Sequence, residues 1–196
     1  MLRFRNVDLW RIGGAAGVAV RSSGKTLCID APDTTGCDYL LYTHSHEGHF
    51  PGGIEAFYSP FGGTTVNPGD VLELGPFKVA VVHAYNITKT RDGRPVHPKG
   101  FGVGYLVETG GVRIYHMGDT DFIKEITEVK DVDVLLVPIG GGSVMTPEEA
   151  ADAVALLRPK IAVPIHYTDK KHYVKFRDVA HPYTNVIALH APISKG

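Results

Sequence analysis

The stretch Thr43-His44-Ser45-His46-Glu47-Gly48-His49 places three histidines within six residues, between the apolar run Tyr39-Leu40-Leu41-Tyr42 and the turn-forming Phe50-Pro51-Gly52-Gly53. If the apolar run is a strand, His44 and His46 point to the same side, because side chains alternate with period two. His49 follows three residues on, past Gly48 where the chain can turn, and can face the same cavity from a second direction. Two imidazoles side by side and a third from a corner suit metal ligation better than core packing. The plainer reading is a solvated loop rich in histidine.

The remaining chemistry-bearing residues stand where apolar runs end. Thr26-Leu27-Cys28-Ile29 ends in Asp30, Val112 to Tyr115 leads to Asp119, and Lys160 to Ile165 ends in His166. Singly, each has a plain explanation: Asp30 and Asp119 as turn residues, His166 as a structural histidine. For Asp30 the alternative is a carboxylate that orients a ligand histidine, which ligating histidines usually need. If neighbouring strands end on one rim, these groups meet there, and several histidines with one or two carboxylates make a divalent metal site of zinc type.

The elements that must position them follow from the pattern. The first half reads as short strands between glycine-rich turns: Val7 to Ile12, Val18 to Arg21, Thr26 to Asp30, then a hairpin of Val71 to Leu74 and Phe77 to Val82. A long polar stretch runs from His83 to Gly100, and unstructured loops of that length are often functional. Phe101 to Val107 and Val112 to Tyr115 pair through Thr109-Gly110-Gly111. Phe122 to Val129 has a helical pattern, and Val132 to Ile139 reads as a strand buried on both faces. Thr146-Pro147-Glu148-Glu149 carries a capping box and a proline at the first helical position, and Pro159 stops the helix. Val186 to His190 is the expected last strand. Strands paired by hairpins, then strands alternating with helices, predict an α/β layered fold with two sheets between helices.

With 196 residues and an apolar fraction of 43%, the chain suits one soluble domain, residues 1–196. The net charge of -1 gives no reason to expect nucleic acid or an anionic membrane as partner. No apolar run approaches the roughly 20 residues that span a bilayer. The N-terminus has no signal-peptide pattern, so the cytoplasm is the expected compartment. There, Cys28 is expected as a small buried hydrophobe, and a disulfide to Cys37 is not expected.

The sequence resembles the metallo-β-lactamase superfamily over most of its length. That family's His-x-His-x-Asp-His motif reads here His44-Ser45-His46-Glu47-Gly48-His49. Its Gly-Asp-Thr segment matches Gly118-Asp119-Thr120, and its last ligand histidine matches His166 in Pro164-Ile165-His166-Tyr167. The stretches Tyr115 to Asp121 and Met145 to Ala150 look like the small, single-domain hydrolases of the family.

The resemblance implies a four-layer αβ/βα sandwich, two mixed sheets flanked by helices, with metal on one rim between the sheets. Carried over position by position, His44 and His46 bind the first metal, His49 and His166 the second, and Asp119 bridges and acts in catalysis. The third histidine of the first metal has two candidates. His97, before Pro98-Lys99-Gly100 and the next strand, is favoured over His83, with Asn86 as a hydrogen-bond donor at the site. Gly48 departs from the family aspartate and leaves the second metal one carboxylate short, a vacancy for water or a shifted Glu47.

The implied activity is hydrolysis of a small ester, lactone or phosphodiester by a metal-activated water. The cofactor is one or two Zn2+ ions, with Mn2+ or Fe2+ as alternatives. Two rivals are an iron-dependent oxidoreductase on the same scaffold and a non-catalytic metal-binding protein. The His83 to Gly100 stretch is the natural lid, with Tyr85, Arg91, Arg94 and Lys99 available to an anionic group or simply solvated. The partner is a small-molecule substrate, and oligomeric state is not legible.

Overall fold

The computed structural model describes residues 1–190. In the first sheet the strands follow chain order: β1 (Leu2–Phe4), β2 (Val7–Gly13), β3 (Gly17–Ser22), β4 (Lys25–Ile29), β5 (Tyr39–Leu41), β6 (Tyr58–Ser59) and β7 (Thr64–Thr65). Pairing is antiparallel from β1 to β4 and parallel from β4 to β7. β8 (Val71–Leu74) and β9 (Phe77–Ala84) begin the second sheet, and a separate hairpin follows, β10 (Thr90–Arg91) with β11 (Arg94–Pro95). β12 (Gly102–Thr109), β13 (Val112–His116), β14 (Val134–Pro138), β15 (Ile161–Ile165) and β16 (Asn185–Val186) complete it.

The order across the second sheet is β16-β15-β14-β13-β12-β9-β8, antiparallel from β8 to β13 and parallel from β13 to β16. Both sheets are mixed, and with α1 (Pro147–Leu157) and α2 (Lys170–Ala180) they form an αβ/βα sandwich.

Strand alternation explains the layers. Val18, Val20, Leu27 and Ile29 face Val79, Val103, Tyr105, Ile114, Leu136 and Val163 across the space between the sheets. The opposite face of the second sheet, with Tyr115, Leu135 and Val137, packs on Ala150, Val154 and Phe176 of the helices. β14 and β15 are buried at every residue, as parallel strands covered on both faces must be. The outer face of the first sheet carries a smaller cluster of Ala19, Cys28 and Ala31 against Trp10, Ile12 and Leu40.

Helix α1 starts as the residues dictate. Glu149 N–H donates to Thr146 Oγ1 at 3.3 Å, and Thr146 N–H donates to a Glu149 carboxylate oxygen at 2.8 Å. Three elements differ from expectation. The Phe122 to Val129 segment forms only a short 3-10 turn over Lys124–Glu128. Helix α2 is not anticipated, although Tyr173, Phe176 and Ala180 recur at helical spacing and pack on the same core as α1; the signal is narrow and set among charged residues. The last strand is limited to Asn185–Val186, whose register against β15 covers Ile161 and Ala162.

The cysteines are a correction: Cys28 and Cys37 form a disulfide, with Cα atoms 5.9 Å apart. Cys28 faces outward from β4. The Asp33–Gly36 turn, closed by Thr35 N–H donating to Asp33 Oδ1 at 2.9 Å, sends the chain back alongside it. Asp38 N–H then donates to the Thr26 carbonyl at 2.8 Å, which brings Cys37 into reach. Among the described residues no helix is long and apolar enough to cross a membrane.

Candidate metal centre

The parallel strands β4, β5, β13 and β15 run out on one rim, where ligands collect in α/β sheets. Backbone bonds join the two sheets there. Val103 N–H donates to the Thr43 carbonyl at 3.0 Å, and His166 N–H to the Ala15 carbonyl at 2.9 Å. His116, fully buried, contributes from its side chain, with Nε2 at 3.1 Å from the Ala16 carbonyl. Its ring ties the two sheets together and stands apart from the histidine cluster.

The structure brings together all six residues singled out for metal: His44, His46, His49, His97, Asp119 and His166. The ligand atoms of His44, His46 and His97 lie within 4.8 Å of one another, and so do those of His44, His49 and Asp119. Asp119 sits at the centre. Its Oδ2 is 3.1 Å from His166 Nε2, 3.6 Å from His97 Nε2 and 3.8 Å from His44 Nε2, and its Oδ1 is 3.6 Å from His49 Nε2. His46 Nδ1 faces His97 Nε2 at 3.1 Å.

His44 Nε2, His49 Nε2 and Asp119 Oδ1 are buried without a hydrogen-bond partner. Leaving such atoms bare costs about 1–3 kcal/mol each, and native folds rarely tolerate it without a ligand to fill the gap. Bare imidazole nitrogens and a carboxylate oxygen converging on one point fit a divalent cation.

Three of these residues, His44, His49 and His97, are held from behind. Asp30 leaves β4 in a left-handed conformation (φ 51°), which aspartate tolerates better than most residues. Its Oδ1 accepts from Thr43 N–H at 2.7 Å, and its Oδ2 from Thr43 Oγ1 at 2.8 Å and His49 Nδ1 at 2.7 Å. Both readings of Asp30, turn residue and orienting carboxylate, therefore hold. His44 Nδ1 is 3.0 Å from Thr43 Oγ1.

Asn86 Oδ1 takes His97 N–H at 3.0 Å and His97 Nδ1 at 2.8 Å, so Asn86 accepts from His97 behind the cluster rather than donating into it. Its amide nitrogen donates to Asp121 Oδ1 and to the Ser143 carbonyl, each at 3.0 Å. Asp121 Oδ2 gathers the N–H groups of Ile87 and Thr88 at 2.7 and 2.6 Å and fixes the segment carrying His97. Sequence reasoning misses Asp121, which follows Asp119 by two residues and reads as a turn former.

The electrostatics suit ligation, which needs neutral imidazole. Burial pushes His44 down to about 3 and His97 to about 4, and lowers His46 as well. Burial disfavours charge on His49 too, but Asp30 outweighs it and raises the imidazole. Burial works against the Asp30 charge, yet His49 outweighs it and holds the carboxyl at about 2. Asp119 is likewise buried, and its histidine neighbours, His166 first, keep it well below the usual carboxylate range.

Other candidates separate cleanly. His83 lies half-buried on β9 beside a different hollow with Pro68, Val81 and Glu125, so His97 is the histidine that joins the cluster. Tyr85 and Lys99 pair with Glu125, at 3.0 and 2.8 Å, outside the centre. Gly48 adopts φ 87°, and its carbonyl accepts from Ala15 N–H at 3.0 Å. A Cβ on Gly14 would come within 2.6 Å of that carbonyl, so the close approach requires glycine at 14. Glu47 is exposed and lines the mouth of the site cavity with Arg91 and Ser143.

Comparison with known proteins agrees with this geometry. Residues 13–166 match the beta-lactamase superfamily domain. A UPF0173 metal-dependent hydrolase of Carboxydothermus hydrogenoformans is 32% identical over 158 residues, 69% of each chain. Among solved structures, a candidate metal-dependent hydrolase of Parabacteroides distasonis superposes with a TM-score of 0.78 at 24% identity, covering 96% of this chain and 100% of that one. CmlA, a diiron β-hydroxylase of Streptomyces venezuelae, gives 0.71 at 15% identity over 97% of this chain and 54% of its own. At these identities the two structures speak to the fold alone. The match over residues 13–166, the relative from Carboxydothermus hydrogenoformans and the rim of histidines around Asp119 together place the chain in the β-lactamase superfamily, within its UPF0173 group of metal-dependent hydrolases.

Proposed function

We propose that residues 1–196 act as one domain that hydrolyses a small ester, lactone or phosphodiester at a zinc centre. His44, His46 and His97 would hold one ion, and His49, His166 and Asp119 would serve a second position that Gly48 leaves short of a carboxylate. The supporting observation is the trio of buried, partnerless atoms His44 Nε2, His49 Nε2 and Asp119 Oδ1. A bound divalent ion supplies Lewis acidity and activates water near neutral pH.

The chain's own residues supply the rest. Asp119, whose Oδ1 is buried without a hydrogen-bond partner, would accept from and orient the attacking water. Asp30 and Asn86 lock the imidazole planes of His49 and His97. The site opens into a cavity of about 380 Å3, the size of a small-molecule site rather than a polymer groove.

The test is metal analysis of protein purified without added metal, followed by ester, lactone and phosphodiester panels on the wild type and on His46→Ala and Asp119→Ala. Loss of turnover in both variants with the fold intact is expected; retained activity in both defeats the proposal.

A second reading, an iron-dependent oxidoreductase, draws on the likeness in fold to the diiron β-hydroxylase. Bound iron with oxygen consumption and no hydrolysis would select it. The cytoplasmic placement belongs to the proposal as well. The Cys28–Cys37 bond weighs against it unless the source is a hyperthermophile, since other cytosols keep thiols reduced.

A further inference from the structure

The β10–β11 hairpin stands beside the metal centre, and its two strands present a like-charge pair. Arg91 and Arg94 are direct partners in its register, flanking the Asp92-Gly93 turn. Like charges opposite each other on a strand pair repel and disfavour the pairing. Neither guanidinium has a carboxylate within ion-pair distance among the described residues. The other cations nearby are engaged: Lys89 with Glu149 at 2.6 Å and Lys99 with Glu125 at 2.8 Å.

The hairpin is also fixed in place. Asn86 N–H donates to the His97 carbonyl at 2.7 Å and Val96 N–H to the Lys89 carbonyl at 3.0 Å, so its base is tied to the ligand His97. Asp121 clamps the residues leading into it. A cavity of about 440 Å3 is lined by Arg91, Arg94, Asp92 and Pro95, and shares His46, Arg91 and Val96 with the cavity of the metal centre. Arg91 thus stands where the two spaces meet. The acidic groups lining the two cavities are Asp92 at the hairpin turn, Glu47 at the mouth of the metal-centre cavity and Asp119 within the centre, and Arg91 and Arg94 are the cations that face them.

Resting on the hydrolase reading above, we propose that the substrate is a small molecule bearing an oxyanion, carboxylate or phosphate, remote from its reacting bond. Arg91 and Arg94 receive that oxyanion while the reacting bond lies at the histidine cluster. Guanidinium groups suit this task because their fork of donors matches both oxyanions bidentately. The anion would also relieve the repulsion between the two arginines, so binding and hairpin order reinforce each other.

Two measurements on the metal-loaded protein test this. Calorimetry compares acetate with glutarate and with 3-phosphonopropionate, and kinetics compare 4-nitrophenyl acetate with mono-4-nitrophenyl glutarate, which share the reacting ester and differ by a remote carboxylate. Glutarate or the phosphonate should bind roughly tenfold or more tighter than acetate, the scale of a charge-assisted hydrogen bond. Whichever binds tighter names the group. Arg91→Gln should remove that margin and lower the charged-to-neutral ratio of kcat/KM to a similar extent, and Arg91→Lys should retain part of both. A margin unchanged in the Arg91→Gln/Arg94→Gln protein overturns the inference. If neither ester is turned over but the margin depends on Arg91, the anion site stands and the hydrolase reading falls. If both esters are turned over without preference, the reverse holds.

Discussion

Asp30 Oδ2 lies 2.7 Å from His49 Nδ1, and the same carboxylate takes both donors of Thr43, so one buried residue sets His49 and the strand end beside it. With Nδ1–H donating to Asp30, His49 Nε2 is left bare and turned toward Asp119 Oδ1 at 3.6 Å. An amide at position 30 cannot accept all three donors. Asp30→Asn should therefore weaken metal binding roughly 10–100-fold, the usual effect of losing a group that orients a ligand. Competition with a chromophoric chelator measures it, and unchanged affinity in a folded variant would show that His49 does not depend on Asp30.

Asn86 plays the corresponding part for His97, and its amide passes the constraint on to Asp121. Asn86→Ala should weaken the metal centre by about tenfold or more. Asp121→Ala should do so too, and should also raise hydrogen exchange across residues 87–97, because the N–H groups of Ile87 and Thr88 lose their acceptor. Faster exchange in that segment in Asn86→Ala but not in Asp121→Ala would mean that Asn86, not Asp121, fixes it.

Five of the six convergent residues are legible in the sequence because they stand at or just past the ends of apolar runs, and parallel neighbours carry such ends to one rim; His97, inside a polar stretch, is reached only through the family resemblance. His97 is legible over His83 because a glycine and a strand follow it. What lies behind the ligands is not. Asp121 looks like any turn aspartate until the backbone amides it gathers are seen. The Asp92-Gly93 hairpin is hidden because strands of two residues carry no alternation. The disulfide is missed because a reducing compartment argues against it, and a separation of nine residues does not by itself say whether the loop between folds back. Local patterns encode strands and their ends; bonds between distant side chains are set by the assembled fold.

Gly48 is testable by restoring the family's aspartate. A Cβ there would meet Ala15 Cβ at 3.6 Å, an ordinary contact, so space is not limiting. The backbone at φ 87° is the obstacle, with a strain of about 1–2 kcal/mol for a side-chain-bearing residue. Gly48→Asp should raise the metal-to-protein ratio measured by elemental analysis while slightly lowering the thermal midpoint. An unchanged metal-to-protein ratio in the folded variant would show that the new carboxylate does not reach the site.

The Cys28–Cys37 bond closes a short loop that begins two residues before Asp30. By loop-closure entropy such a bond is worth about 2–3 kcal/mol. For a chain of this size that corresponds to a fall of roughly 5–10 °C in Tm on reduction. Calorimetry with and without reductant gives the shift directly. The Cys28→Ala/Cys37→Ala protein should lose a comparable amount and no longer respond to reductant.

Glu125 offers a pH test away from the metal. Its carboxylate accepts the Tyr85 hydroxyl at 3.0 Å and Lys99 Nζ at 2.8 Å. Partial burial opposes the charge, but Lys99, first among its partners, outweighs that and brings the carboxyl from 4.5 down to about 2. A depressed folded value means that the unfolded chain takes up its proton first as the pH falls. The stabilisation is therefore complete above about pH 4.5 and is lost progressively toward pH 2. Urea midpoints of the wild type and Glu125→Gln should differ by a constant amount above about pH 5, and the gap should narrow between about pH 4.5 and pH 3. Because the pair is partly exposed, high salt should shrink the gap at every pH. A gap that widens on acidification would mean that the carboxyl is stabilised in its protonated form, through Tyr85 rather than Lys99.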